Sequence, residues 1–184
     1  MCSCQQKRNL ELTRQAQVAH QQLPATSSDQ WGPILWKFLH IAAEKSYSVS
    51  QFVDDVVVGH IWNQIIQKFP HVLPCPDCQA HARTYLVNHP FDASVKRGKD
   101  LQTYLREYLF AFHADIRARK GQPILVATIE DCRQLYESQE YTQFNTDTLM
   151  VYFRIAIKYQ VVQAMSFNAW KSSYDRLIKM TRML

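Results

Sequence analysis

Leu73-Pro74-Cys75-Pro76-Asp77-Cys78 holds two of the chain's five cysteines, in the spacing Cys-x-x-Cys. Pro74 restrains the backbone ahead of Cys75. Pro76 suits the first turn of a helix, where a missing N–H costs nothing. Cys75 then falls near a helix N-cap and Cys78 inside the first turn. The partial positive charge and open N–H groups of a helix N-terminus favour a thiolate. Asp77 works against it, so a modest net depression of the thiol pKa is expected. By itself the pair fits three chemistries. It suits two structural thiols, half of a zinc site completed by His81, His89 or Cys132, or a redox-active disulfide.

The flanking sequence reads as helices. A first one spans residues 31–47, with Pro33 at its first position and Ile34, Leu35, Phe38, Leu39 and Ala42 at helical spacing. Trp36 and His40 share a face one turn apart. Such a pair suits a core, and equally a flat heteroaromatic ring that Trp36 stacks on and His40 hydrogen-bonds. A second helix spans 51–69, with Val53, Val56, Val57, His60, Ile61, Ile65 and Phe69 as its apolar stripe and Asp54 and Asp55 in its early turns. A third runs from the cysteine pair to about Asn88, where Asn88-His89-Pro90 stops it. It carries His81 on nearly the face of Cys78.

A fourth helix covers 100–120 along Leu101, Leu105, Leu109, Phe112 and Ile116, with Gly121 as its stop. The basic last turn, Arg117-Ala118-Arg119-Lys120, suits the helix dipole or a pyrophosphate. A short fifth helix at 128–137 has Thr128 as its cap, with Cys132 and Tyr136 one turn apart. Residues 146–182 read as further helix, interrupted near Asn168-Ala169-Trp170. Strand-like alternation is absent, so the βαβ units of a thioredoxin arrangement have no support. The expected class is all-α: a four-helix bundle with a short fifth helix and a helical C-terminal extension.

The 184 residues suit one domain with appendages, and 47% hydrophobic with 20% charged residues is ordinary for a globular chain. With no uncharged apolar run of about 18 residues, no membrane span is expected. The polar N-terminus lacks the apolar region of a signal peptide. The net charge of +5 is scattered rather than concentrated, which argues against a nucleic-acid surface. Residues 1–29, rich in Gln, Ser and Thr, read as a mobile arm. Cys2 and Cys4 within it are either incidental thiols or a mobile redox pair; a disulfide closing so small a ring is relatively oxidising.

Trp31-Gly32-Pro33 with Trp36, Leu39 and His40 resembles the first-helix signature W-G-P-x-x-W-x-x-L-H of the Erv/ALR family of FAD-linked sulfhydryl oxidases. Cys75-Pro76-Asp77-Cys78 follows at the family distance, and Phe112-His113 opens a segment similar to the family's H-N-x-V-N motif. The likeness covers roughly residues 28–140. Pro74 to Ala82 is most like members encoded by large DNA viruses.

The resemblance implies a helical bundle holding FAD, with residues 30–140 as the oxidase domain and 141–184 as an extension. It implies Trp36, His40 and His113 against the flavin or adenine, Ile116, Arg117 and Lys120 along the cofactor, and Tyr47 as a further pocket residue. Cys78 would sit against the isoalloxazine, and Cys75 would be attacked by substrate thiolate. The family uses mobile shuttle pairs whose position varies, and the spacing of Cys2 and Cys4 on the arm makes them the expected shuttle here. Electrons would pass from thiol-containing protein substrates through Cys75–Cys78 and FAD to molecular oxygen, giving hydrogen peroxide. A homodimer is implied, working in the host cytoplasm or virion of a virus, with no metal. Two departures stand out. The motif's asparagines are Ala114 and Arg117 here, and Cys132 has no obvious partner. Arg117 is expected to compensate through the pyrophosphate. A zinc-binding helical module and a cofactorless interaction domain of the same fold are the rival readings.

Overall fold

A computed structural model describes residues 27–124 and 126–182. Cys2 and Cys4, the expected shuttle pair, lie outside the described residues. The helices are α1 Ser28–Ser50, α2 Asp55–Ile66, α3 Phe69–Val72, α4 Pro76–Asn88, α5 Gly98–Arg119, α6 Ile129–Tyr136, α7 Gln143–Lys158 and α8 Ala164–Arg182. No strand occurs among the described residues, so the all-α expectation holds.

The bundle is arranged around α1. Its Leu35, Phe38, Leu39, Ala42 and Ala43 are almost wholly buried, and the helix runs along α5 while touching α2, α6, α7 and α8. Polar groups pin the far end of this packing. Arg106 Nε and Nη2 on α5 donate to the Glu44 carboxylate at 2.7 and 2.6 Å, a bidentate pair with both side chains largely out of water. Trp62 Nε1 on α2 donates to Ser46 Oγ at 3.1 Å, and that hydroxyl donates to Ala42 O at 2.8 Å.

Several boundaries differ from the periodicity. α1 starts five residues before Pro33, because Ser27 Oγ accepts the Asp29 N–H and caps the helix there. The second helix starts at Asp55, with the Asp54 carboxylate accepting the Val56 N–H at 2.7 Å. It is also rotated relative to the expected stripe. Val58, Ile61, Trp62, Ile65 and Ile66 are buried, while Val56 and His60 are exposed. Two long-range contacts set this rotation: the Trp62 indole reaches Ser46, and Gly59 abuts the 91–97 loop. A Cβ on Gly59 would lie 2.3 Å from Ala93 O, so only glycine permits the approach. The second helix ends at Ile66, short of the expected residue 69, and Phe69 instead opens a separate short helix, α3, with Pro70 in its first turn.

The C-terminal break falls between α7 and α8, where Gln160 adopts a φ of 61°, and not at Asn168-Ala169-Trp170. Trp170 is interior to α8 and stacks on Phe153 and Tyr174 at 4.8 and 4.9 Å, fully buried. Tyr174 in turn packs on Phe38 of α1 and shares a 3.0 Å hydrogen bond with Tyr141. Residues 143–182 thus contribute to the same apolar core as α1, α2 and α5.

Candidate active site

Cys75 is the N-cap of α4 and Pro76 its first residue, as the sequence pattern requires. The pair is disulfide-bonded with Cα atoms 5.1 Å apart. Cys75 Sγ accepts the Cys78 N–H at 3.2 Å, so a helix N-terminal donor already points at that sulfur. Both cysteines are half-buried and line a cavity of about 680 Å³ between the start of α1, the start of α4 and the end of α5. That volume suits a cofactor-sized ligand.

One wall is aromatic. Trp36 lies flat on His113, with ring centroids 4.2 Å apart and planes within 2°. Phe112 meets Trp36 edge-on. Trp31, only 4% exposed, also lines the cavity, and its Nε1–H is buried without a protein partner among the described residues. A buried unpaired donor beside a cavity fits a ligand that supplies the acceptor. The end of α5 adds a cationic rim, formed by Arg117, Arg119 and Lys120. Arg117 Nε donates to Pro123 O at 2.6 Å, and neither of its Nη nitrogens has a partner among the described residues. Lys120 Nζ donates to Ser28 Oγ at 2.6 Å and Asp29 Oδ1 at 2.9 Å, joining the end of α5 to the start of α1. An aromatic wall with a cationic rim matches a flat heteroaromatic ring joined to phosphates.

Trp36, His113, Ile116, Arg117, Lys120, Cys75 and Cys78 therefore share one cavity. His40 stands behind it, 3% exposed, hydrogen-bonded to His113 at 3.3 Å and stacked on Tyr136 at 4.7 Å. Burial above all pushes the His40 pKa down to about 3 and that of His113 to about 4, with Arg117 adding to the second shift. Tyr47 lies at the other end of α1, its ring under the Lys99 ammonium, outside the cavity.

His81 Nε2 is 2.5 Å from Asp115 Oδ2, and the histidine lines the cavity one turn past Cys78. Tyr136 also lines it. The spacing of Cys132 and Tyr136 was the one clue to the latter. Nothing in the sequence marks Asp115 as a partner for His81, because the pairing is between helices. Among the described residues, no three His, Cys, Asp or Glu side chains converge as a metal site. His81 is engaged with Asp115, His89 stacks on Tyr85, and Cys132 lies beside His40.

Helices packed around a cofactor-sized cavity with a disulfide in its wall define the architectural class. The chain belongs to the Erv1/Alr family, whose model matches residues 33–142. A protein of Invertebrate iridescent virus 3 assigned as a FAD-linked sulfhydryl oxidase is 30% identical over 99 residues, 53% of this chain and 60% of that one. The chain thus spans less than two thirds of that relative. The FAD-linked sulfhydryl oxidase of an African swine fever virus pig isolate from Kenya is 28% identical over 110 residues, 58% of this chain and 80% of that protein. No solved structure matches. Among the described residues no helix is long and apolar enough to cross a membrane.

Proposed function

We propose that this chain is a FAD-linked sulfhydryl oxidase that forms disulfides in thiol-containing proteins. The observation that carries the reading is the Cys75–Cys78 disulfide in the wall of an aromatic, cation-rimmed cavity, within the family-matched residues. Trp36 and His113 would hold the heteroaromatic ring, with Trp31 Nε1 as a donor, and Ile116, Arg117 and Lys120 would hold the chain that carries the pyrophosphate. When bound, FAD supplies the two-electron chemistry that connects the dithiol to molecular oxygen, with hydrogen peroxide as product.

The protein's own part begins at Cys75. A substrate thiolate attacks Cys75 Sγ; a new S–S bond forms and the Cys75–Cys78 bond breaks, leaving Cys78 as thiolate. A second substrate thiolate then attacks the substrate sulfur of this mixed disulfide and releases Cys75. The substrate has lost two electrons and two protons, and the cysteine pair holds both electrons. The Cys78 N–H that faces Cys75 Sγ stabilises the departing Cys75 thiolate. His81, oriented by Asp115, is the neighbouring side chain that accepts a proton in this reading. Cys2 and Cys4 relay electrons from bulky substrates to Cys75, a role supported by their spacing in the sequence.

The test is a visible spectrum of the purified full chain with oxygen uptake on a small dithiol. A flavin spectrum with peroxide formation supports the reading. A colourless protein carrying stoichiometric zinc would overturn it.

A further inference from the structure

Cys132 is a free thiol, 2% exposed, that the disulfide exchange above does not use. Its Sγ lies 3.6 Å from His40 Nδ1, and His40 Nε2 lies 3.3 Å from His113 Nδ1. These three groups form one continuous chain from α6 through α1 to α5. His113 ends it at the cavity, and its Nε2 has no partner among the described residues. Tyr136 on one side of His40 and Trp36 on His113 hold the two rings by stacking.

All three members are neutral. Burial and the Glu44 carboxylate push the Cys132 thiol up to about 11, and burial keeps both imidazoles unprotonated at neutral pH. Each ring then carries one N–H, and the hydrogen bond at one nitrogen dictates the state of the other. Only two polarities are possible. In one, Cys132 S–H donates to His40 Nδ1, His40 Nε2–H donates to His113 Nδ1, and His113 carries its proton on Nε2. In the other, every donor and acceptor is reversed, and both rings carry the proton on Nδ1. The first polarity gives the buried S–H an imidazole nitrogen as acceptor, whereas the second leaves the S–H without one and asks the thiol sulfur, a weak acceptor, to take the His40 N–H.

We propose that Cys132 is a positioning residue whose S–H sets the polarity of this chain, so that His113 presents an Nε2–H donor to the cavity. The cavity then takes, at that point, a ligand atom with a lone pair: a carbonyl oxygen or an unprotonated ring nitrogen. That FAD supplies the atom rests on the functional reading above; the polarity itself does not.

The experiment is ¹⁵N–¹H long-range correlation of the histidine rings in the full chain at neutral pH, in the parent and in Cys132→Ser and Cys132→Ala. The parent is expected to show His40 and His113 as Nε2–H tautomers. Cys132→Ser, which keeps a donor, retains them, and Cys132→Ala gives tautomer averaging at both rings. Should Cys132→Ala unfold, Cys132→Val restores the volume without the donor. Nδ1–H rings in the parent, or unchanged Nε2–H tautomers without a donor at 132, would overturn the proposal. In parallel, FAD titration should weaken by about two- to tenfold in Cys132→Ala and be restored in Cys132→Ser, the range of one net hydrogen bond. A parent that binds no FAD at all would sink the functional reading while the ring spectra still decide the polarity.

Discussion

From Ala42 to Val49, α1 leaves its polar side chains engaged: Ser46 takes the Trp62 indole and Glu44 takes the Arg106 fork. From Trp31 to His40 the same helix follows another rule. Trp31 Nε1–H is buried with no partner among the described residues, Trp36 lies on a histidine, and His40 is a neutral imidazole in the interior. One half closes a core, and the other leaves interaction capacity facing a cavity. Burying an unpaired donor costs roughly 1–3 kcal/mol. A ligand that accepts from it recovers that cost, so the site half should gain stability on binding while the core half should not.

The largest effect expected is on turnover. Cys75→Ser and Cys78→Ser should each reduce oxidation of a small dithiol to background while leaving the fold and bound flavin intact, since neither sulfur is deep in the core. Oxygen uptake and the visible spectrum of each variant check this. Near-normal turnover in Cys78→Ser would end the mechanism.

Next in size is Trp62→Ala in the core half. Removing a fully buried indole should cost about 3–5 kcal/mol, read as a lower urea midpoint in the presence and absence of FAD alike. A loss confined to flavin binding would erase the distinction between the two halves.

Arg117→Ala probes the site half. Loss of a charge-assisted contact should weaken FAD by an amount equivalent to about 1.5–3 kcal/mol, measured by flavin titration, with little change in the urea midpoint of the FAD-free chain. Unchanged affinity would mean that Arg117 serves only Pro123 and the end of α5.

The remaining prediction concerns the pH dependence. His40 and His113 have folded pKa values lowered to about 3 and about 4 from 6.5. The unfolded chain therefore binds protons that the folded chain refuses as pH falls below 6.5. Stability is full above that value and declines from pH 6.5 towards pH 4. His113→Gln should flatten the decline of the urea midpoint across this window. A parent whose midpoint is level from pH 7 to pH 4.5 would show that the buried rings protonate freely.

Periodicity and local signals were enough to read the helical class, the cap position of Cys75 and the glycine stop after α5, where Gly121 has a φ of +62°. They failed where a distant partner overruled the local pattern. The rotation of α2 depends on Ser46 and Ala93, and the continuity of α8 through Asn168-Ala169-Trp170 depends on Phe153 of α7. Tyr47 has a suitable residue type on the right helix, yet it faces Lys99 at the end remote from the cavity.

The residue types for the chemistry are inherent in the chain: a Cys-x-x-Cys behind a helix-starting proline, a Trp and a His one turn apart, and a basic helix end. Local covalent geometry and helix periodicity bring each set together without help. Only tertiary packing could set Trp36 flat on His113, join His81 to Asp115 and close Cys132, His40 and His113 into one chain. These contacts cross between helices far apart in sequence. Their geometry follows from which faces the apolar core consumes, and that is a property of the whole fold.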